Sequence, residues 1–292
     1  MSIETGCRDH GQGTLYIVST PIGNLEDITL RAINTLKRVD LIAAEGVQHT
    51  RGLCRHYDIK TRLTRYNQHN LKAKGPELLR RLVSGADIAL VTNAGTPGVS
   101  DPGVLLVHQA LEKKIRVSPI SGPSAVTAAL SVSGMRGDRF IFVGFLPNRQ
   151  GKRRKTLMGL VSEPRTLVFF EAPHRLHAML ADLLDILGDR PMVLQRELTK
   201  LHEEVLPGRV SSLMEDLKDR RLRGEITVVV AGEDREEKKT GTKIDERIYR
   251  RLDVLLGQET MSVRDIAKQI SDEEGLPYRP VYRACLAIKS GD

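Results

Sequence analysis

A chain of 292 residues, 40% hydrophobic and 28% charged, holds more material than one ordinary core needs and reads as two or three globular domains. Its 45 Lys and Arg against 37 Asp and Glu give a net charge of +8, which suits either a polyanionic partner or a solubilising surface. No Trp, six Tyr and five Phe leave too few rings for a broad base-stacking platform, and three dispersed cysteines (Cys7, Cys54, Cys285) form neither a disulfide framework nor a zinc site. The first residues lack a charged-then-apolar leader pattern, and no apolar run reaches the length of a membrane span. The expectation is a cytoplasmic protein with no membrane segment and no metal.

Residues 14–20 (TLYIVST) predict a buried strand that breaks at Pro21-Ile22-Gly23-Asn24. A helix follows, capped by Asp27 or Thr29 and carried on by Leu30, Ile33 and Leu36 at helical spacing. Further strands are predicted at 39–44, 87–92 and 115–120, with helices at 53–57, 76–83 and 104–112. Short apolar strands alternating with helices imply a parallel sheet covered on both faces. A second set begins near Arg139, with strands at 140–144, 166–170, 191–196 and 225–231 and helices at 152–161, 174–187 and 210–221. The fold class is therefore α/β, with one domain over 13–124 and a second over 125–232. The charged, aperiodic stretch 233–243 predicts a linker, and 244–292 a small helical unit in which Ser262-Val-Arg-Asp265 is a capping signal.

Three Gly/Pro loops follow predicted strands: 20–24, 93–97 and 121–124. Ligands in open α/β sheets bind beyond the carboxyl ends of strands, where glycine lets the main chain approach closely. No G-x-G-x-x-G follows a strand, and Gly151-Lys152 runs into Arg153 without the P-loop spacing. A dinucleotide oxidoreductase and a P-loop ATPase are thereby disfavoured.

The segments LYIVSTPIGNLEDIT, AGTPGVSDPG, ISGPSAVTAAL, FVGFLP, RTLVFFEAPHRL, QRELTKLHEE and GEITVVVAG occur in that order over roughly residues 13–232. Together they resemble the ribosomal RNA small-subunit methyltransferase I family of the tetrapyrrole (class III) methylase superfamily. The resemblance implies two α/β domains of the tetrapyrrole methylase type, with S-adenosyl-L-methionine in the cleft between them, and a homodimer. It implies 2′-O-methylation of a cytidine ribose in the 16S rRNA of the small ribosomal subunit. The cofactor is then expected against Pro21, Ile22 and Gly23, against Ala94, Gly95, Thr96 and Val99, and against Ser124 and Ala125. From the second domain Phe170, Glu171, the loop from Arg196 to Lys200, and Glu225 are expected to face it.

Two stretches depart from the family pattern. Glu-Asp-Thr-Arg-His is common where this chain reads Glu45-Gly46-Val47-Gln48-His49, and Ser-Asp-Ala-Gly-Thr-Pro where it reads Thr92-Asn93-Ala94-Gly95-Thr96-Pro97. Two other readings therefore stand beside the RNA methyltransferase: a small-molecule methylase, and a homologue with reduced catalysis that binds cofactor or RNA.

Methyl transfer to a ribose hydroxyl is an in-line displacement helped by a base that takes the hydroxyl proton. Glu45, Asp101, Glu171 and Glu197 are the carboxylate candidates, with His49 and His174 as imidazole alternatives. Asp101 could equally cap the helix at Val104, and Arg196-Glu197 could be a surface ion pair. For RNA phosphate the candidates are the run Lys152, Arg153, Arg154 and Lys155, together with His174, Arg175 and Lys200. Solvated helix faces are the ordinary fate of such a run.

Overall fold

A computed structural model describes residues 11–233, 245–258, 261–274, 276 and 278–290. Cys7 and nearly all of the expected linker lie outside the described residues.

The first sheet consists of β1 (Thr14–Val18), β2 (Leu41–Ala44), β3 (Leu63–Arg65), β4 (Ile88–Val91) and β5 (Arg116–Ile120). Its order is β3-β2-β4-β1-β5 and every pairing is parallel. All residues of β2 and β4 are buried, as continuous apolar strands covered on both faces must be. Helices α1 (Leu30–Arg38) and α2 (Val47–His56) cover one face, where Leu36 and Leu53 pack with Val18, Ile42 and Val91. Helices α3 (Leu71–Val83) and α4 (Val104–Glu112) cover the other, where Leu78, Leu82 and Leu106 meet Leu15 and Ile88. Of the two expected caps of α1, Thr29 is the one used: its hydroxyl accepts from the Ala32 N–H at 3.1 Å.

The second lobe contains α5 (Ala125–Val132), β6 (Phe140–Phe145), α6 (Gln150–Met158), β7 (Thr166–Glu171), α7 (Leu176–Leu187), β8 (Pro191–Arg196), β9 (Glu204–Arg209), α8 (Val210–Asp216) and β10 (Ile226–Val230). Its sheet runs β6-β7-β10-β8-β9, with β6 parallel to β7 and the other pairs antiparallel. Met179 and Leu183 of α7 pack on Leu167, Phe169, Leu194 and Val228 on one face. On the opposite face, Val126 and Ala129 of α5 pack on Val168 and Val229, and Gln195 Nε2 donates to the Ala129 carbonyl at 2.9 Å.

Residues up to Gly232 form one compact unit and those from Glu233 a second. The second unit holds α9 (Glu246–Gly257), α10 (Val263–Glu274) and α11 (Tyr278–Ser290) around Leu252, Ile266, Ile270 and Cys285. Asp245 caps α9 through the Ile248 N–H at 2.9 Å, and the Ser262 hydroxyl accepts from the Asp265 N–H at 3.2 Å ahead of α10. Among the described residues no helix is long and apolar enough to cross a membrane.

Candidate active site

The three Gly/Pro loops meet at the carboxyl edge of the first sheet. Thr20, after β1, and Gly95, after β4, exchange main-chain hydrogen bonds: Thr20 N donates to Gly95 O at 2.9 Å and Gly95 N to Thr20 O at 3.0 Å. The Ser19 and Thr96 hydroxyls are 2.8 Å apart, and Thr20 Oγ1 donates to the Thr92 carbonyl at 3.2 Å. The third loop lies against the same strand end, since a Cβ on Gly122 would sit 3.0 Å from Ser19 Cβ. Gly95 (φ 71°) and Gly98 (φ 87°) adopt left-handed backbone that a side chain would strain.

The second lobe closes on this edge at two points. A Cβ on Gly23 would lie 2.6 Å from Thr199 Oγ1 and 2.7 Å from the Leu198 carbonyl, so only glycine lets the β1 loop sit against the turn after β8. Asn24 N donates to Thr199 Oγ1 at 3.1 Å at the same place. At the other point Ser100 (φ 61°) faces the β6 bulge at Gly144 (φ 72°), where an added Cβ would be 2.9 Å from Ser100 Oγ. The expected cofactor residues of the β1 and β4 loops are thus brought together, and the Arg196–Lys200 turn meets them at Gly23. Ser124 and Ala125 open α5, Phe170 stacks edge-on with Phe142 at 4.9 Å, and Glu225 directly precedes β10.

Glu45 and Asp101 both lie on this edge, near enough for the charge of Glu45 to act on the Asp101 carboxyl. Glu45 Oε2 accepts from the Asn93 N–H at 3.1 Å. Burial first, and then the Glu45 charge, push the Asp101 carboxyl up to about 6, with the Thr92 hydroxyl partly holding it down. Asp101 does not cap α4, whose N-cap is Gly103 with no side-chain cap. The departures at 46 and 93 also meet here, because a Cβ on Gly46 would run into Asn93 Oδ1.

The other two carboxylates are held differently. Glu171 is buried: its Oε1 accepts from the Ala172 N–H at 2.8 Å and lies 3.2 Å from Arg175 Nε, while Oε2 has no partner. Burial pushes its carboxyl up against the pull of the Ala172 N–H and Arg175. Arg175 also donates to the Leu146 carbonyl, so the pair pins the turn from β7 into α7. Burial would raise Glu197 as well, but Lys200 Nζ at 2.8 Å and the Glu225 N–H at 2.9 Å hold it below its usual range.

The expected phosphate contacts require revision. Arg153 is buried, with Nε donating to Asp182 Oδ2 at 2.6 Å, and Arg154 bridges Asp182 at 3.2 Å and Asp185 at 2.5 Å. These two arginines fasten α6 to α7, which leaves Lys152 and Lys155 as the exposed cations of the run. Lys200 pairs with Glu197 and Glu225, and Arg196 with Glu204 at 2.8 Å. His174 is exposed in the short 3-10 turn before α7.

Beside the carboxylate pair is a cavity of about 570 Å³ between α2 and the loops after β1 and β4. Pro21, Leu25, Gln48, His49, Thr92 and Asn93 line it, as do Thr50, Gly52 and His56, which sequence reasoning missed. The signal was the full length of α2: once the helix starts at Val47, positions 49, 52, 53 and 56 share one face. Among the described residues no group of three or more His, Cys, Asp or Glu side chains could hold a metal.

The two sheets and the loop edge define a two-lobed α/β fold with its ligand edge at the ends of the first sheet's strands. The model of the Tetrapyrrole (Corrin/Porphyrin) Methylases matches residues 14–214. Solved structures agree in fold: cobalt precorrin-4 methyltransferase, a cobalamin biosynthetic enzyme, superposes with a TM-score of 0.59 at 15% identity over 75% of this chain and 94% of that one. A uroporphyrin-III C-methyltransferase from Thermus thermophilus, complexed with S-adenyl homocysteine, gives 0.54 at 19% identity over 74% and 97%. Curated relatives named ribosomal RNA small subunit methyltransferase I are far more similar. The one from Micromonospora olivasterospora is 45% identical over 93% of this chain and 86% of its own, and that from Synechocystis 41% over 95% and 99%. The Thermotoga maritima relative is 47% identical over 76% of this chain and 100% of its own. The chain belongs to the ribosomal RNA small subunit methyltransferase I family of tetrapyrrole methylases.

Proposed function

We propose that this protein methylates the ribose 2′-hydroxyl of a cytidine in the 16S rRNA of the small ribosomal subunit, using S-adenosyl-L-methionine, as a cytoplasmic homodimer. The names of the curated relatives support the rRNA substrate. The observation that carries the chemistry is the Glu45–Asp101 pair beside the loop edge.

A nucleoside-bearing sulfonium needs main-chain groups that can approach it, an apolar surface and a nearby negative charge. The turns at Gly23, Gly95 and Gly98, the side chains of Ile22 and Val99, and the carboxylate pair match those needs. When bound, the cofactor supplies an activated methyl group. Asp101 accepts the 2′-hydroxyl proton, and a carboxyl near 6 is mostly ionised at neutral pH while still basic enough for the task. Burial, and after it the charge of Glu45, maintains that basicity, and Glu45 is itself fixed by the Asn93 N–H. Lys152, Lys155 and His174, all exposed, contact RNA phosphates, which gives affinity without sequence information. Incubation of the protein with methyl-labelled cofactor and 30S subunits tests the reading: label mapped to a cytidine ribose in 16S rRNA is expected, and label absent from rRNA overturns it.

A further inference from the structure

We propose that the cavity under α2 receives the base of the acceptor nucleotide, a single pyrimidine turned out of the RNA strand. The proposal rests on the rRNA methylation reading and adds where the base lies.

Position is the first argument. The cavity is lined by Pro21 of the cofactor loop and by Thr92 and Asn93, which adjoin the carboxylate pair. Pro21 is the only residue it shares with the expected cofactor set, so it borders that site without being part of it. A base seated here would hold its ribose toward Asp101, and sequence-specific recognition of RNA reads unstacked bases that are splayed out of the strand.

Chemistry is the second. Apolar walls from Pro21, Leu25 and Leu53 face the amides of Gln48 and Asn93, a mixture that suits a flat heterocycle with a polar edge, while His49, Arg55 and His56 in the same lining suit the phosphate attached to that nucleotide. Gln48 Oε1 accepts from Arg51 at 3.2 Å, which leaves its amide N–H groups as donors. Thr50 is 2% exposed and its hydroxyl has no hydrogen-bond partner, an unmet need within the lining. The far wall is preformed, because Tyr57 Oη donates to the Leu25 carbonyl at 2.6 Å. A volume of about 570 Å³ falls within the range of small-molecule sites.

Gly52 provides the test. It lines the cavity on α2 at an exposed position, and a Cβ there would meet nothing within 4 Å, so a side chain added there starts without a clash. Wild type, Gly52→Phe and Gln48→Leu are assayed with labelled cofactor and 30S subunits, with cofactor affinity measured by calorimetry. Gly52→Phe is expected to lose at least tenfold in methyl transfer while cofactor affinity stays within twofold. Gln48→Leu, which fills nothing, is expected to raise KM for subunits severalfold and serves alone if Gly52→Phe fails to bind cofactor. Wild-type methylation and KM in the variants that bind cofactor would overturn the pocket. If wild type itself puts no label into rRNA, the functional reading fails, and calorimetry with cytidine monophosphate decides the pocket. Binding to wild type that Gly52→Phe abolishes supports it; equal binding, or none to wild type, overturns it.

Discussion

Asn93 Oδ1 fills the space that a side chain at position 46 would need, so Gly46 and Asn93 are packed as a pair. The resemblance noted in the sequence implies Asp at both positions, and the two departures from it touch. The backbone at Gly46 (φ −115°, ψ 95°) is open to any residue, so its only obstacle is steric. Gly46→Ala is therefore expected to cost about 1–3 kcal/mol by overpacking, and Gly46→Ala/Asn93→Ala to recover most of it. Denaturant unfolding of wild type, Gly46→Ala, Asn93→Ala and the double variant measures the coupling, and strictly additive costs would contradict it.

Asp101 links rate and stability to pH. As the base it must be ionised, so kcat is expected to fall as pH drops through about 6, and Asp101→Asn to lose the acid limb along with most of the rate. Its folded carboxyl lies above the unfolded value of 3.8, so the stability it contributes is complete below 3.8 and is lost as pH rises through about 6. Asp101→Asn should hence be more stable than wild type at pH 8, by on the order of 1 kcal/mol after solvent screening. A less stable amide variant, or a flat kcat profile in wild type, would remove Asp101 from the role.

Charge reversal across the whole α6 run would mix two effects. Arg153→Ala takes from the buried Asp182 its closest partner, leaving it Arg154 and Gln150, and is expected to cost about 1–3 kcal/mol in stability. Lys152→Glu/Lys155→Glu touches only exposed groups; it should leave the unfolding midpoint nearly unchanged and lower the salt dependence of RNA binding. Filter binding at several salt concentrations reads this, and an unaltered slope would mean that the two lysines face only solvent.

Gly23→Ala forces the turn after β8 away from the β1 loop, because the Leu198 carbonyl stands 2.7 Å from where the new Cβ would be. Cofactor affinity is expected to fall at least about tenfold, as a misplaced binding loop predicts. Calorimetry showing unchanged affinity would mean that the cofactor does not depend on this contact.

The sheets were legible because their inner strands, such as Leu41–Ala44 and Ile88–Val91, are short apolar runs between turn residues. The edges were not. β3 has three residues, and β9 carries Pro207 and Gly208, both of which speak against a strand by composition. Helix α5 reads AVTAALSV and lacks the strong polar face that marks a helix at a surface. Helix α3 was expected to begin at Pro76, a residue favoured in the first turn, yet it starts at Leu71 and carries the proline inside. The candidate site was legible as loops but not as contacts: Glu45 beside Asp101, and Gly46 beneath Asn93, are produced by adjacent β2 and β4 and leave no local pattern. Arg153 reads as part of a charge run, and only its buried partner Asp182, one helix away, shows that it is structural.

The contact between Asn24 and Thr199 spans 175 positions of chain. A ribosome making this protein releases the first sheet well before the turn after β8 exists, and domains emerging in that order fold as they appear. The first lobe can therefore acquire its core while still tethered, but the loop edge gains its opposing wall only after the turn that carries Thr199 has emerged.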